Sequence, residues 1–150
     1  MTSTGLSTDR AAVADLLSRY LLSLDDEKLD DAWAAQLFTP DAEVAFPPMS
    51  RHRGTEGMAD FHAASLSAFA ATQHLGSPAL VVLDGDRAAL RANLLSTHVH
   101  HPRPDGPAGL FTTGTFVDGE ARRTPAGWRL ERLSFRLLWT DGSPPPKDRG

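Results

Sequence analysis

The sequence predicts an α+β domain in which about three N-terminal helices pack on one face of a strongly curved, mainly antiparallel sheet that encloses a pocket. Apolar residues recur every three or four positions in the first half of the chain, whereas from Gln73 onward the period is two. Turn signals separate the period-two stretches, above all "DGD" at 84–86 and "TPAGW" at 124–128. Helices followed by a meander of strands indicate an α+β arrangement and not an alternating α/β one.

Three helical stretches are predicted. The first begins at Asp9, after a flexible tail at 1–8, and Ser7 and Thr8 supply capping side chains. Its apolar stripe consists of Val13, Leu16, Leu17, Tyr20, Leu21 and Leu24. The second helix covers 29–37. The third carries Met58, Phe61, Leu66 and Phe69.

The remaining segments are predicted as strands and loops. The turn "FTPDA" leads into a short strand on Ala42, Val44 and Phe46, which Pro47-Pro48 ends, and the loop "MSRHRG" follows. Longer strands are expected near 74–83, 86–101, 110–122 and 128–139. The loop "HPRPDGPAG" separates the two middle strands. The segment 141–150 is rich in proline, glycine and charge and is predicted to be a flexible tail, so the domain spans 9–140.

Composition excludes several classes of protein. A chain of 150 residues is long enough for one domain with a core, and its net charge of -4 comes without the basic patch of a nucleic-acid-binding protein. The absence of cysteine excludes disulfides, thiolate catalysis and thiolate zinc sites. Neither a secretory signal nor an apolar run of membrane-spanning length is visible, so we expect a cytoplasmic protein without membrane contact.

Alternation along the second long strand places two histidines on its buried face. That face consists of Ala88, Leu90, Ala92, Leu94, Ser96, His98 and His100. It is apolar in its first half and turns polar where His98 and His100 arrive, which is typical of a pocket lining. Arg91, Asn93 and His101 fall on the outer face.

An aspartate at the end of the first helix faces the same interior. Asp25 lies four residues after Leu21 and therefore continues the buried stripe, whereas Asp26 points away. If Asp25 meets His74 and His98, an imidazole held by a carboxylate becomes a positioned general acid or base.

Simpler roles stay open for these groups. A half-buried histidine usually bonds to the backbone, and Asp25 could cap the next helix. His52 in a polar loop and His62 on a helix flank are interpreted as solvated. The "HVH" at 98–100 has a spacing that metals accept, but the cupin pattern also needs a glutamate shortly afterwards, which is missing. The sequence contains no nucleophile elbow and no phosphate-binding glycine loop.

Four stretches, in this order and spacing, carry a family resemblance. They are "RYLLSLDDEKLDDAWAAQLFTPDAEVAF", "TQHLGS", "DGDRAAL" and "GWRLERLSFRLLW". Together they resemble the SnoaL-like branch of the NTF2-like superfamily, and within it the scytalone dehydratase-like proteins. The resemblance implies a cone-shaped fold and cofactor-independent catalysis by two pocket histidines and an aspartate, which match His74, His98 and Asp25. The family's water-holding tyrosines do not carry over, because Leu24 and Phe46 stand in their places.

The resemblance implies a dehydratase, isomerase or cyclase that acts on a largely apolar small molecule, such as a polyketide-type intermediate. It needs no cofactor and no metal. The expected substrate-binding residues are Tyr20, Leu24, Phe46, Phe61, Leu94, His100 and Phe116. One alternative is a binding or assembly protein of the same fold that has lost chemistry. An epoxide hydrolase ranks lower, because its Asp-Arg-Asp relay would require Arg132 or Arg136 to point inward.

Relatives of this kind pair through the open face of the sheet, and we therefore expect a homodimer, with a trimer as the next choice. The apolar residues that we place on that face are Leu95, Val99, Leu133, Phe135 and Leu137.

Overall fold

The computed structural model describes residues 3–106 and 109–145, which form three helices and seven strands. The helices are α1 (Ser3–Asp26), α2 (Asp31–Leu37) and α3 (Met58–Leu66). The strands are β1 (Phe38–Phe46), β2 (Ser50–Arg53), β3 (Phe69–Gly76), β4 (Leu80–Asp84), β5 (Arg87–His100), β6 (Leu110–Thr124) and β7 (Gly127–Gly142).

The seven strands form one curved sheet, and the three helices pack against it. The strand order is β2-β1-β7-β6-β5-β3, and β4 pairs with the first half of β5 beside β3. Neighbouring strands are antiparallel except β1 and β7, which run parallel. The predicted class, helices on a curved and mostly antiparallel sheet, is confirmed.

Helix α1 starts earlier than predicted. Residues 3–8 are helical, so the expected flexible tail at 1–8 is wrong for that part, while residues 1 and 2 lie outside the described chain. The sequence gives little sign of this start, because Leu6 is the one large apolar side chain there. Asp9 fixes this part of the helix, since its carboxylate accepts from Trp128 Nε1 at 3.2 Å and from Arg123 at 2.6 Å.

Two segments predicted as irregular belong to the sheet. The "FTPDA" turn is the beginning of β1, which pairs in parallel with β7 through Phe38 and Leu130. The "MSRHRG" loop contains β2, an antiparallel partner of β1 that opposes His52 to Val44. The pairing of β1 with β7 joins residues far apart in the chain, and Pro47-Pro48 was interpreted as the end of a strand and not as the turn of a hairpin, so local pattern revealed neither pairing.

The strand predicted near 74–83 is in fact two strands. β3 begins at Phe69, which the helical pattern had absorbed, and β4 follows after a break at 77–79. The turns predicted at 84–86 and 124–128 are those of two hairpins, β4–β5 and β6–β7. Strand β7 runs on to Gly142, into the predicted C-terminal tail, and residues 146–150 lie outside the described chain.

The predicted inner face of β5 is correct. Ala88, Leu90, Ala92 and Leu94 are buried, and Arg91 and Asn93 are exposed on the other side. Residues of β6 that oppose the buried set therefore share the inner face with it. The sheet and α1 meet closely here, because an added Cβ at Gly76 of β3 would lie only 2.8 Å from Leu21 Cδ1.

A bulge in β7 reverses part of the predicted outer face. At Glu131 the register with β6 shifts, so that Leu133 opposes Gly119 and Phe135 opposes Val117 on the inner face. Leu133 is completely buried and Phe135 nearly so, and neither belongs to an exposed patch. Leu95 is exposed on the outer face, as predicted, and Val99 is half-buried there. Leu137 is exposed, but it opposes Thr115 on the inner face, so its predicted face is wrong as well.

The histidine on α3 lies in the core and is not solvated as predicted. His62 is 4% exposed, its Nδ1 donates to the Met58 carbonyl at 2.8 Å, and its Nε2 accepts from the Tyr20 hydroxyl at 2.8 Å. Burial lowers the pKa of His62 to about 4 and raises the pKa of Tyr20. The neighbouring Trp33 indole N–H is likewise bonded, to Ser23 Oγ at 2.8 Å.

Two further histidines lie away from this core. His52 is half-buried on β2, stacked on the Phe61 ring and bonded to the Glu56 carbonyl at 2.7 Å, so it is not simply solvated. His101 is exposed, as predicted, and bonds to the Ser67 carbonyl at 3.1 Å. In the described ranges we find no helix that is both long enough and apolar enough to cross a membrane.

Candidate active site

Asp25, in the last turn of α1, is bound by three donors from β3. Its Oδ1 accepts from His74 Nδ1 at 2.6 Å and from the Thr72 hydroxyl at 2.9 Å, and its Oδ2 accepts from the His74 backbone N–H at 2.8 Å. Thr72 and His74 are two residues apart on one strand, so both face α1. The carboxylate is thereby fixed in position and oriented by the sheet.

The contact with Asp25 defines the chemistry of His74. A carboxylate oxygen accepts, so Nδ1 carries the proton and the neutral ring has its lone pair on Nε2. The His74 side chain is 9% exposed, and among residues 3–106 and 109–145 nothing bonds to Nε2. The arrangement therefore presents a basic nitrogen, and the carboxylate behind it stabilises the imidazolium that proton transfer would create.

His98 stands beside His74 on the neighbouring strand. The two ring centroids are 6.0 Å apart and the rings are nearly perpendicular. His98 Nδ1 donates to the Phe111 carbonyl at 2.8 Å, which leaves Nε2 as an acceptor. Burial is the main cause that lowers the pKa of His98, so this ring is neutral near pH 7.

His100 bonds to the chain segment that follows β7. It is 7% exposed, and its Nε2 donates to the Ser143 carbonyl at 2.6 Å, which holds the segment after β7 across the start of β6. His98 and His100 thus each give one ring nitrogen to a backbone carbonyl. In the described part of the chain, no three His, Asp or Glu side chains are grouped so as to hold a metal ion.

The apolar candidates form two groups, one beside Asp25 and Ser96 and the other between β1 and α3. Leu94 is buried on the inner face of β5, two residues before Ser96, and Leu24 is half-buried next to Asp25. Phe46 and Phe61 are half-buried, with ring centroids 6.1 Å apart.

Tyr20 and Phe116 are not where the sequence placed them. Tyr20 is fully buried and its hydroxyl is bonded to His62, so it offers no phenol to a ligand. Phe116 opposes Asn93 and lies on the outer face, where the Arg136 guanidinium stacks over its ring at 5.3 Å. The strand alternation that gave the inner face of β5 would have assigned Phe116 correctly if it had been carried across to β6.

The two arginines considered for the pocket also point outward. Arg136 covers Phe116, and Arg132 lies 3.4 Å from Asp118 and 3.7 Å from Glu120 on the outer face. The Asp-Arg-Asp relay of an epoxide hydrolase therefore has no support from either residue.

Sequence reasoning missed Thr72, whose hydroxyl helps to hold Asp25. Its position could have been found, because it lies two residues before His74 in a period-two stretch. A groove of about 500 Å³ was not predicted either. It is lined chiefly by outer-face residues that include Leu75, Leu95 and Trp139, so it lies across the sheet from His74.

The curved sheet with helices on one face is an NTF2-like fold, and an aspartate-histidine pair lies where sheet and helices meet. The model of the SnoaL-like domain matches residues 6–134, and the chain therefore belongs to the SnoaL-like domain family. The family predicted from the sequence is confirmed. Comparison with curated proteins gives no sequence match.

Several solved structures share the fold. A protein from Kribbella flavida is 28% identical, with a TM-score of 0.81 over 91% of this chain and 95% of its own. A hexachlorocyclohexane dehydrochlorinase, LinA type 2, is 20% identical, with a TM-score of 0.80 over 96% and 99% of the two chains. A proposed scytalone dehydratase from Novosphingobium aromaticivorans is also 20% identical, with a TM-score of 0.78 over 100% and 99%.

Proposed function

We propose that this protein is a cofactor-independent acid/base enzyme of the dehydratase, isomerase or cyclase type that acts on a small, largely apolar molecule. The observation that carries the proposal is the 2.6 Å hydrogen bond between Asp25 and His74, together with the unbonded Nε2 on the other side of that ring. The same geometry is the usual means by which proteins position a general base.

In the proposed reaction, His74 Nε2 takes a proton from a substrate carbon. Asp25 keeps the proton on Nδ1 and stabilises the positive ring that results. The same ring then gives the proton back, either to another carbon, which completes an isomerisation, or to a leaving hydroxyl, which departs as water. His98 is neutral and accepts at Nε2, so we assign it the role of holding a substrate O–H group.

Apolar neighbours fit such a substrate. Leu24, Phe46, Phe61 and Leu94 are the candidates for its hydrocarbon part. The names of two fold neighbours, a dehydratase and a dehydrochlorinase, are those of elimination enzymes, and such an elimination removes a proton from carbon together with the leaving group. That likeness supports the choice of reaction class and does not specify the substrate.

The test uses proton exchange, which detects base catalysis without knowledge of the product. The protein is incubated in D₂O with a panel of small ketones, β-hydroxy ketones and alkenes, and NMR follows loss of C–H signals and formation of new products. For any compound that reacts, His74→Asn should lower the rate about 10²–10⁴-fold while the melting temperature stays near that of the unmodified protein. Tight binding of panel compounds without exchange in either protein would favour the binding-protein alternative.

We also propose that the protein is a homodimer formed through the outer face of the sheet. Large apolar side chains are exposed together on that face at Leu75, Leu95, Leu138 and Trp139. Light scattering at micromolar concentration should give the dimer mass, and Leu95→Arg should shift it toward the monomer. A monomer mass for the unmodified protein would refute the dimer.

A further inference from the structure

The last turn of α1, which carries Asp25, is a poor helix end by itself. Two carboxylates, Asp25 and Asp26, lie in that turn, and no basic side chain does. Negative charge at the C-terminus of a helix opposes the helix dipole, and terminal turns are where helices open first. A turn of this composition therefore needs contacts with the rest of the protein to hold its shape.

Ser23 supplies such a contact on the side of the turn that faces α2. It is 2% exposed, and its Oγ donates to the Tyr20 carbonyl at 2.6 Å and accepts from Trp33 Nε1 at 2.8 Å. Residues two apart on an α-helix point about 200° apart, so Ser23 and Asp25 lie on nearly opposite sides of the turn. The turn is thus held by α2 through Ser23 and by β3 through Asp25.

Trp33 is fixed well enough to anchor this contact. Its backbone N–H donates to Asp30 Oδ1 at 2.8 Å, the bond that caps α2. Its ring is buried and lies against three other rings, with centroids at 6.3, 5.8 and 5.1 Å for Tyr20, Phe38 and His62. The indole N–H therefore reaches the end of α1 from a ring that is held on several sides.

We propose that Ser23 and Trp33 are positioning residues for catalysis, because their hydrogen bond holds the last turn of α1 where Asp25 can bind His74. This inference rests on the proposed function of the Asp25–His74 pair. In this role neither residue contacts the substrate, and Ser23 acts only through the carboxylate two residues later. A small displacement of that carboxylate is costly, since proton transfer requires the reacting groups to be held in one geometry.

Amide exchange measures the placement of Asp25 without any substrate. β3 is at the edge of the sheet, and the His74 backbone N–H donates to Asp25 Oδ2 at 2.8 Å, so its protection depends on the end of α1. The reference is the amide of Leu90, which is buried between β4 and β6. In Ser23→Ala, exchange of the His74 amide with D₂O, followed by NMR, should become about tenfold faster relative to Leu90, as expected for the loss of one buried hydrogen bond.

Turnover is the second measurement. In Ser23→Ala the kcat for a panel substrate should fall about tenfold per folded molecule while KM changes little, because the substrate contacts are kept. In the double variant Ser23→Ala/Asp25→Asn, turnover should equal that of Asp25→Asn alone, because Ser23 then has no carboxylate to act through. Trp33→Phe removes the same hydrogen bond from the other side and should reproduce both effects of Ser23→Ala.

His62→Phe is the matched control for lost stability. It removes two hydrogen bonds from the same aromatic cluster but none from Ser23 or Trp33. It should therefore destabilise the protein at least as much as Ser23→Ala and leave the exchange ratio and the turnover unchanged. An equal change of the ratio in His62→Phe, or losses of turnover that multiply in Ser23→Ala/Asp25→Asn, would overturn the inference.

Failure of the inference and failure of the proposed function give different results. If panel compounds are turned over and His74→Asn stops them, but Ser23→Ala and Trp33→Phe alter neither exchange nor turnover, the function stands and the positioning role is wrong. If the exchange ratio changes in Ser23→Ala but no panel compound reacts with the unmodified protein, Ser23 does hold Asp25 in place and the catalytic role of the pair is wrong.

Discussion

His62 and His74 are held in similar ways but differ in what their second nitrogen does. Each ring donates from Nδ1 to an oxygen, the Met58 carbonyl at 2.8 Å for His62 and the Asp25 carboxylate at 2.6 Å for His74. Nε2 of His62 accepts a hydrogen bond from the Tyr20 hydroxyl, whereas nothing in the described chain bonds to Nε2 of His74. The role of each histidine therefore follows from the second nitrogen, since the first is bonded in both.

The surroundings of the two rings agree with this division. His62 is packed among aromatic rings, with the centroid of Trp33 at 5.1 Å and that of Tyr20 at 5.5 Å. Its low pKa keeps it neutral and its hydrogen bonds are complete, so it is built as a core residue. His74 has a carboxylate in place of a carbonyl, and a charged ring is therefore tolerated there.

The largest expected effect tests the catalytic half of the comparison. Asp25→Asn removes the charge that stabilises a protonated His74 and presents an amide N–H₂ to one of the three donors that the carboxylate now accepts from. Turnover of a panel substrate should fall about 10²–10⁴-fold. The measurement is the rate per folded molecule, with folding checked by circular dichroism.

Asp26→Asn is the control for this change, because Asp26 is the adjacent carboxylate and is exposed. It should leave the rate unaltered. Equal losses in both variants would mean that the helix end, and not the bond from Asp25 to His74, sets the rate.

The next effect concerns stability and should leave chemistry alone. His62→Phe fills a similar volume, but it leaves the Tyr20 hydroxyl without a partner in the core and removes the side-chain bond to the Met58 carbonyl. We expect the free energy of unfolding to fall by roughly 3 kcal/mol, the cost of one unsatisfied buried hydroxyl and of the lost bond to the carbonyl. Denaturant titration measures the loss, and turnover per folded molecule should be retained. A loss of turnover without loss of stability would place His62 with the catalytic residues.

A smaller effect tests the burial of His62 through the pH dependence of stability. Burial lowers the pKa of His62 from 6.5 to about 4, so between these values the unfolded chain binds more protons than the folded one. Stability is then complete above pH 6.5 and is lost as pH falls toward 4. The contribution of His62 to that loss should be about 2 kcal/mol between pH 7 and pH 5.

The control for the pH effect is the His62→Phe variant. Its free energy of unfolding should fall less steeply between pH 7 and pH 5. The lowered pKa of His98 acts in the same direction and persists in the variant, so the difference between the two proteins isolates His62. Parallel curves would show that the buried ring does not titrate as its surroundings require.

Local pattern predicted the positions of Asp25 and His98 better than it predicted the sheet around them. Asp25 followed from the helical period and the inward face of His98 from the strand period, and both are properties of one element. The bulge at Glu131 and the parallel pairing of β1 with β7 depend on partners far along the chain, so Leu133 and Phe135 were assigned to the wrong face.

The burial of His62 could not be predicted from local sequence pattern either. Helix α3 is only nine residues long, too short for its apolar period to distinguish a flank from a buried face. The ring is buried because α1 and α2 supply Tyr20 and Trp33 from elsewhere in the chain.

The smallest expected effect concerns Tyr20, which the sequence predicted to bind substrate and which the structure places in the core. As a substrate-binding phenol, Tyr20 would be needed for turnover. As a core residue, its hydroxyl serves only to satisfy His62 Nε2, at 2.8 Å. Tyr20→Phe retains the ring and its packing against Phe135 but leaves His62 Nε2 without its partner, so the free energy of unfolding should fall by about 1 kcal/mol. Turnover of the panel substrate and its KM should match those of the unmodified protein when corrected for the folded fraction. A large fall in turnover with unchanged stability would instead mean that the hydroxyl leaves His62 and reaches the substrate during the reaction.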